Sequence, residues 1–427
     1  MKFLKMSKSQ SNQDYQKEIS AIQLMTELSG LLKMKMKIKG EDIINRLIIL
    51  FRQYGLFNES IDFRKFSCLI SKEYLSKLPI EEVLKNHMWS IEESEISMES
   101  DSDQQYVRND LESSDGYIIG KIVQAIINNS SSTWKSKTIT FMIERVLIVE
   151  LLKLLGWLEY GDGMILPEAD LSILQAMLVA KQWLFPHLIE NFSKESPRLG
   201  VFTSIESHYS LYKAANVLGI SNNCIFQIPI NHNGQMDPVE FERILQQAIK
   251  SGVIPFFILI TSGTNSRNAF DHPNTIISII RKHCPKHFRP WIHLDGSIGG
   301  IMLFSDKYRH MLDGVELVDS FNWDVQRLCQ IGTPCTLLIF RQKLTFYRNQ
   351  NIPMWDSDEE SSSSTMLNSE FAGEFQQTDS NHDFKIMSCV RTDSSIYLFT
   401  HWSVHGSNYF TNRVEQIMKG VSILLDL

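Results

Sequence analysis

A mostly parallel α/β sheet flanked by helices is the architecture this sequence predicts, and three observations carry it. Short apolar runs alternate with helical patterns from residue 199 onward, as the strand–helix repeats of a parallel sheet do. The stretches between the runs carry helix signals. Gly219 is a stop, and Asp237-Pro238-Val239-Glu240 is a start, with a capping acid, a proline in the first turn and a glutamate behind it. The chain has 427 residues, 43% hydrophobic and 21% charged, enough for one large core with a smaller domain beside it.

Taken in order, residues 1–123 read as an N-terminal helical segment. Met34 to Lys39 and Ile43 to Phe51 predict a helix with one apolar face. Glu92 to Asp103 is acidic and serine-rich, an exposed loop. Residues 124–350 form the large domain. Ile139 to Leu158 predicts a long amphipathic helix. Strands are predicted at 199–204, 224–230, 254–261, 291–295, 317–322 and 335–341, with helices at 207–218, 237–251 and 273–284. Residues 351–384 are a low-complexity loop, richest in Asp356 to Ser364. Residues 385–427 resume a folded pattern, expected to be the start of a small C-terminal domain that stops early.

Charge and cysteine usage exclude several classes. A net charge of −7 argues against a nucleic-acid footprint or a polybasic membrane surface. The first residues show no apolar core of signal-peptide length, and Val146 to Leu158 is broken by Glu150 and Lys153, too charged to span a bilayer. Six cysteines, none in a CxxC pair, point to a reducing compartment, so a cytoplasmic location is expected. His283-Cys284 with His287 is interrupted by Pro285, and no metal site is expected.

Four segments carry a recognisable pattern. Trp291-Ile292-His293-Leu294-Asp295-Gly296-Ser297-Ile298-Gly299-Gly300 resembles the W-x-H-V-D-A-A-x-G-G of group II pyridoxal-phosphate (PLP) decarboxylases. These are the glutamate, aspartate and cysteine-sulfinate decarboxylases. Thr203 to Ala215 resembles the family's T-S-x-x-S-H-Y-S-x-x-K-A-A. Thr261-Ser262-Gly263-Thr264 with Ala269-Phe270-Asp271 is similar to T-A-G-T-T-x-x-G-A-F-D. Gly156-Trp157 with Gly161-Asp162-Gly163 is similar to G-W-x-x-G-D-G. The resemblance runs from about 140 to 345 and more weakly from 385 to 427.

The resemblance implies the type I PLP-dependent transferase fold, with PLP as cofactor and an obligate dimer whose active sites sit at the subunit interface. It implies that Asp295 contacts the pyridine nitrogen, keeping it protonated so that the ring accepts electrons. It implies that His208 stacks on the ring, and it carries Ser297 and Ser172 over as cofactor-binding positions.

Three segments depart from the family. Its S-V-T-W-N-P-H-K, whose lysine forms the Schiff base, is matched without a gap by Ser320-Phe321-Asn322-Trp323-Asp324-Val325-Gln326-Arg327. A Schiff base needs a neutral primary amine, and the guanidinium of Arg327 stays charged. The family's phosphate loop, S-P-G-G-S-x-S-N, is matched by Leu166-Pro167-Glu168-Ala169-Asp170-Leu171-Ser172-Ile173. Both glycines that let backbone N–H groups approach the phosphate are gone, and two carboxylates have entered. One carboxylate about 4 Å from one phosphate charge costs ~4 kcal/mol at an effective dielectric near 20. The H-P-x-F-x-N-x-L that shapes the family's substrate pocket is replaced by Gln104 to Asn109, without its histidine or proline.

The expected function is therefore a catalytically silent homologue of the PLP-dependent acidic amino-acid decarboxylases. It would act as a homodimer, or as a heterodimer partner or regulator of an active paralogue. The alternative is a working glutamate, aspartate or cysteine-sulfinate decarboxylase, in which Lys213, Lys307 or Lys343 would have to reach the cofactor. A third reading is an aberrant product that does not fold stably.

Overall fold

The computed structural model describes residues 114–127, 138–186, 197–285, 288–343 and 394–425. The expected helix over Ile43 to Phe51, the acidic loop at Glu92 to Asp103, the Gln104 to Asn109 segment and the low-complexity stretch 356–384 lie outside the described residues.

A seven-stranded sheet organises them. Its strands are β1 (Asp162–Leu166), β2 (Leu199–Ser204), β3 (Ile225–Ile228), β4 (Ile254–Thr261), β5 (Trp291–Asp295), β6 (Ser320–Asp324) and β7 (Thr336–Phe340). Their spatial order is β1-β7-β6-β5-β4-β2-β3. Strands β2 to β6 run parallel, and β7 lies antiparallel to both β6 and β1. The mostly parallel sheet is the expected fold class. Helices cover both faces: α1 (Asp115–Ile127), α2 (Thr138–Leu155), α3 (Ala169–Leu184), α4 (Ser210–Val217), α5 (Pro238–Lys250), α6 (Pro273–His283), α7 (Ser394–His405) and α8 (Asn408–Leu425).

The local signals act where they were read. Asp237 accepts from the N–H groups of Val239 and Glu240 at 2.8 and 3.3 Å, so α5 starts at Pro238. Its Phe241, Leu245 and Ala248, spaced four and three apart, are buried on one face. Helix α4 ends before Gly219, whose φ of 71° lets Ile220 N–H reach back to Ala215 O at 2.9 Å.

Three expectations shift. Strand β6 begins at Ser320 rather than 317, because Val315–Leu317 forms a turn of 3₁₀ helix first. Strand β1 is not among the expected strands; it pairs at the sheet edge with β7. The segment read as a phosphate loop is only the Pro167-Glu168 connection, after which α3 begins at Ala169.

Alternation along the strands sorts side chains to two cores. Ile258, Ile260, Ile292, Leu294, Phe321 and Trp323 face α2, α5 and α6. Phe257, Leu259, Trp291, Leu338 and Phe340 face α3 and α4. The residues expected to start a small domain share the first core. Ile396 and Phe399 of α7 and Phe410 of α8 are buried in the same cluster as Trp323. Helix α7 lies so close to α1 that a Cβ on Gly116 would stand 2.5 Å from the His401 backbone.

Candidate functional site

The α3-facing side of the sheet changes character along each strand. It is apolar where the strands begin, at Val201, Phe257 and Trp291. It is polar where the parallel strands end, at Thr203, Thr261, His293, Asp295, Asn322 and Asp324, all buried. Register aligns Thr261 with Asp295, and Asp295 with Asn322. The carboxyl ends of parallel strands are where open α/β sheets bind ligands.

Asp295 closes β5. Its Oδ1 accepts from Ser297 N at 3.0 Å, Ser297 Oγ at 2.6 Å and Asn322 Nδ2 at 3.1 Å. Asn322 also donates to Ser297 Oγ at 2.9 Å, so the three side chains form one triangle. Beneath it, His293 is fully buried, with Nδ1 2.8 Å from Ser320 Oγ. Burial pushes its pKa down, against the opposing pull of Asp295, and the imidazole is neutral at pH 7.

The glycines after Asp295 are packing residues. A Cβ on Gly299 would lie 2.5 Å from Ser262 O, and one on Gly300 would lie 2.6 Å from the Trp323 ring. The Gly161-Asp162-Gly163 motif is structural too. Asp162 Oδ1 pairs with buried Arg145 Nη1 at 3.0 Å and accepts from Gly163 N at 2.8 Å.

His208 lies in the turn between β2 and α4, half-buried. Its Nδ1 is 2.8 Å from Ser210 Oγ, and its ring tilts against Tyr209 with centroids 4.1 Å apart. Ser207 Oγ, 3.1 Å from Thr261 Oγ1, ties this turn to the end of β4 beside Asp295. Across from it stands the first turn of α3. Asp170 Oδ1 is 3.5 Å from His208 Nδ1, and its Oδ2 accepts from Lys213 Nζ at 2.9 Å. That hydrogen bond raises the pKa of Lys213. Glu168, at the N-cap of α3, makes no capping bond and is exposed.

Ser172 is placed otherwise than a ligand-binding hydroxyl would be. It is fully buried, and its Oγ donates to Ala169 O at 2.6 Å within its own helix. Arg327 sits in the turn after β6 with its side chain 57% exposed and Nε 3.6 Å from Asp324 Oδ2. Asp324 is buried, and its carboxyl is pushed up to about 6, chiefly by burial and further by Asp295. The turn also holds Leu328 and Gln330 at φ of 68° and 56°, uncommon for side-chain-bearing residues. Helix α8 braces it: Arg413 Nε donates to Leu328 O at 2.9 Å and Tyr409 OH to Gln330 Oε1 at 2.9 Å.

The structure thus joins Asp295, Ser297 and Asn322 directly, and His208 to them through Ser207 and Thr261. Asn322 and Asp324 were missed as site residues, although their spacing between apolar Phe321 and Trp323 is the period-2 signal that would have found them. Among the described residues no group of His, Cys, Asp and Glu could hold a metal ion, and His283 is engaged by Glu242 Oε1 at 2.6 Å. No helix among them is long and apolar enough to cross a membrane.

The family model described as the pyridoxal-dependent decarboxylase conserved domain matches residues 96–426. The chain belongs to this family. The acidic amino acid decarboxylase GADL1 of Homo sapiens is 33% identical over 226 residues, which are 53% of this chain and 42% of that protein. The cysteine sulfinic acid decarboxylase of Homo sapiens is 27% identical over 305 residues, 70% of this chain and 57% of that protein. The crystal structure of mouse CSAD in apo form superposes with a TM-score of 0.64 at 26% identity, covering 73% of this chain and 61% of that one. The chain spans about half the length of the curated relatives it matches.

Proposed function

We propose that this chain is a non-catalytic homologue of the PLP-dependent acidic amino-acid decarboxylases, serving as a dimer partner or regulator. The observation that carries this reading is Arg327 at the Schiff-base position, half-exposed and turned to Asp324. A guanidinium that stays protonated cannot attack an aldehyde. The residues assigned to the ring, His208 and Asp295, remain, while the covalent attachment and the phosphate loop do not fit the cofactor.

The lysines that could substitute argue against a working decarboxylase. Lys213 is held charged by Asp170, whereas a Schiff base forms from the neutral amine. Lys307 is exposed, with Nζ 5.0 Å from the Tyr308 ring centroid. Lys343 follows the end of β7 that registers with Ser320, the far end of β6 from Asp324. The free cysteines among the described residues, Cys224, Cys284, Cys329 and Cys335, agree with a cytoplasmic location.

The test is borohydride reduction of purified protein incubated with PLP, followed by peptide mass spectrometry. The expected result is no pyridoxyl-lysine and the absorbance of the free aldehyde. A stoichiometric label on one lysine would overturn the reading.

A further inference from the structure

The first turn of α3 and the start of α4 bear on the phosphate end of the site, independently of the missing lysine. Asp170 is the second residue of a 16-residue helix. The N–H groups of such a turn lack intrahelical partners and carry partial positive charge, which favours an anion there. The cation Lys213 stands 2.9 Å from one oxygen of Asp170, and His208 stands 3.5 Å from the other. Lys213 also lies over the Tyr209 ring, 4.4 Å from its centroid, which fixes the ammonium on this side of the turn. The motif match aligns Asp170 with the first serine after the two glycines of the phosphate loop. A neutral hydroxyl has become a carboxylate, and this carboxylate already has a cation and a histidine.

We propose that Asp170 is a built-in anion that takes the place of a ligand phosphate. It supplies the negative charge that the α3 terminus and Lys213 attract, so the site is electrostatically complete without a phosphorylated ligand and rejects one. Of the ring end, Asp295 has its own partners in Ser297 and Asn322, and His208 keeps its contact with Ser210 Oγ beside the one with Asp170. The site is therefore expected to discriminate against the phosphate group in particular, rather than against pyridoxal-type rings in general.

The experiment compares wild type with Asp170→Ser and Asp170→Asn. Serine restores the hydroxyl of the matched motif; asparagine keeps the size and an acceptor for Lys213, and guards against a serine variant that fails to fold. Binding of inorganic phosphate, PLP and unphosphorylated pyridoxal is measured by calorimetry or equilibrium dialysis on the full chain. Wild type should bind neither phosphate nor PLP at millimolar concentration. At least one variant should bind both at least about tenfold more tightly than wild type, a gain larger than any change in pyridoxal binding, which reads out the loss of the Asp170–His208 contact alone. The proposal is overturned if wild type binds inorganic phosphate as well as the variants do, or if folded variants gain nothing. Either result leaves the borohydride test of the lysine position unaffected, so the two readings fail separately.

Discussion

Arg327 and Asp324 face one another across the turn that follows β6, with Nε 3.6 Å from Oδ2. The pair is unequal. The arginine side chain is 57% exposed and the aspartate side chain 9%. A largely solvated cation screens poorly for a buried carboxylate, so burial wins and the Asp324 carboxyl rises to about 6. In the folded chain the group therefore holds its proton more tightly than in the unfolded one. This contribution favours folding at acidic pH and is lost as pH rises from about 4 through about 6.

Asp324→Asn should accordingly stabilise the protein at pH 7, by up to about 3 kcal/mol. The advantage should shrink towards zero below about pH 4, the ordinary range of an aspartate. Denaturant unfolding of both proteins at the two pH values measures it. An advantage of the same size at both would assign the effect to packing instead of ionisation.

Arg327→Lys alone should restore no decarboxylation of glutamate, aspartate or cysteine sulfinate. A lysine there would face the Asp324 carboxylate, which favours the charged amine, and Asp170 would still occupy the phosphate end. Product assays on the single variant decide it. Measurable turnover would mean that the lysine was the only part missing.

Gly300→Ala should destabilise the fold by about 1–3 kcal/mol through overpacking. Its Cβ would meet the ring of Trp323 at 2.6 Å, and that ring is held by Phe304 and Phe410 at centroid distances of 5.2 and 5.8 Å. Equilibrium unfolding gives the loss, and near-ultraviolet circular dichroism reports the tryptophan environment. A variant as stable as wild type would show that the Gly299-Gly300 pair is not fixed by packing.

Strands β4 and β7 were legible because both faces are buried, so each reads as a nearly unbroken apolar run, while β6 was legible through the alternation of Phe321 and Trp323 with polar residues. Helix α5 was legible because Asp237 and Pro238 determine its start locally. Strand β1 and the start of α3 were not. Asp162–Leu166 is short, and its strand character comes from pairing with β7, whose residues lie 170 to 178 positions further along the sequence. At the site, Asp295 and His208 stood out through motif context. The triangle of Asp295, Ser297 and Asn322 and the contact of Asp170 with Lys213 depend on strand register and on how α3 packs against α4. No local pattern encodes either.

The chain is expected to dimerise, with itself or with an active paralogue. Val146, Leu147, Ile148, Leu151 and Leu155 of α2 are buried inside the chain, so they offer no surface to a partner. Exposed apolar side chains are spread over the described residues, with Tyr160 and Val239 among the most exposed, and three of them fall close to the site. Ile205, Tyr209 and Val217 are 49%, 58% and 62% exposed, around the turn that carries His208 and along α4. Tyr209 is the N-cap of α4 and Val217 its last residue, so the two bracket the helix at the edge of the site. Exposed apolar side chains grouped in this way mark interaction surfaces. Light scattering at micromolar concentration should therefore report a dimer, and Tyr209→Asp with Val217→Asp should weaken it by placing charges in an apolar contact. A soluble wild-type monomer would rule out the partner role, and a dimer indifferent to both substitutions would move the interface away from α4.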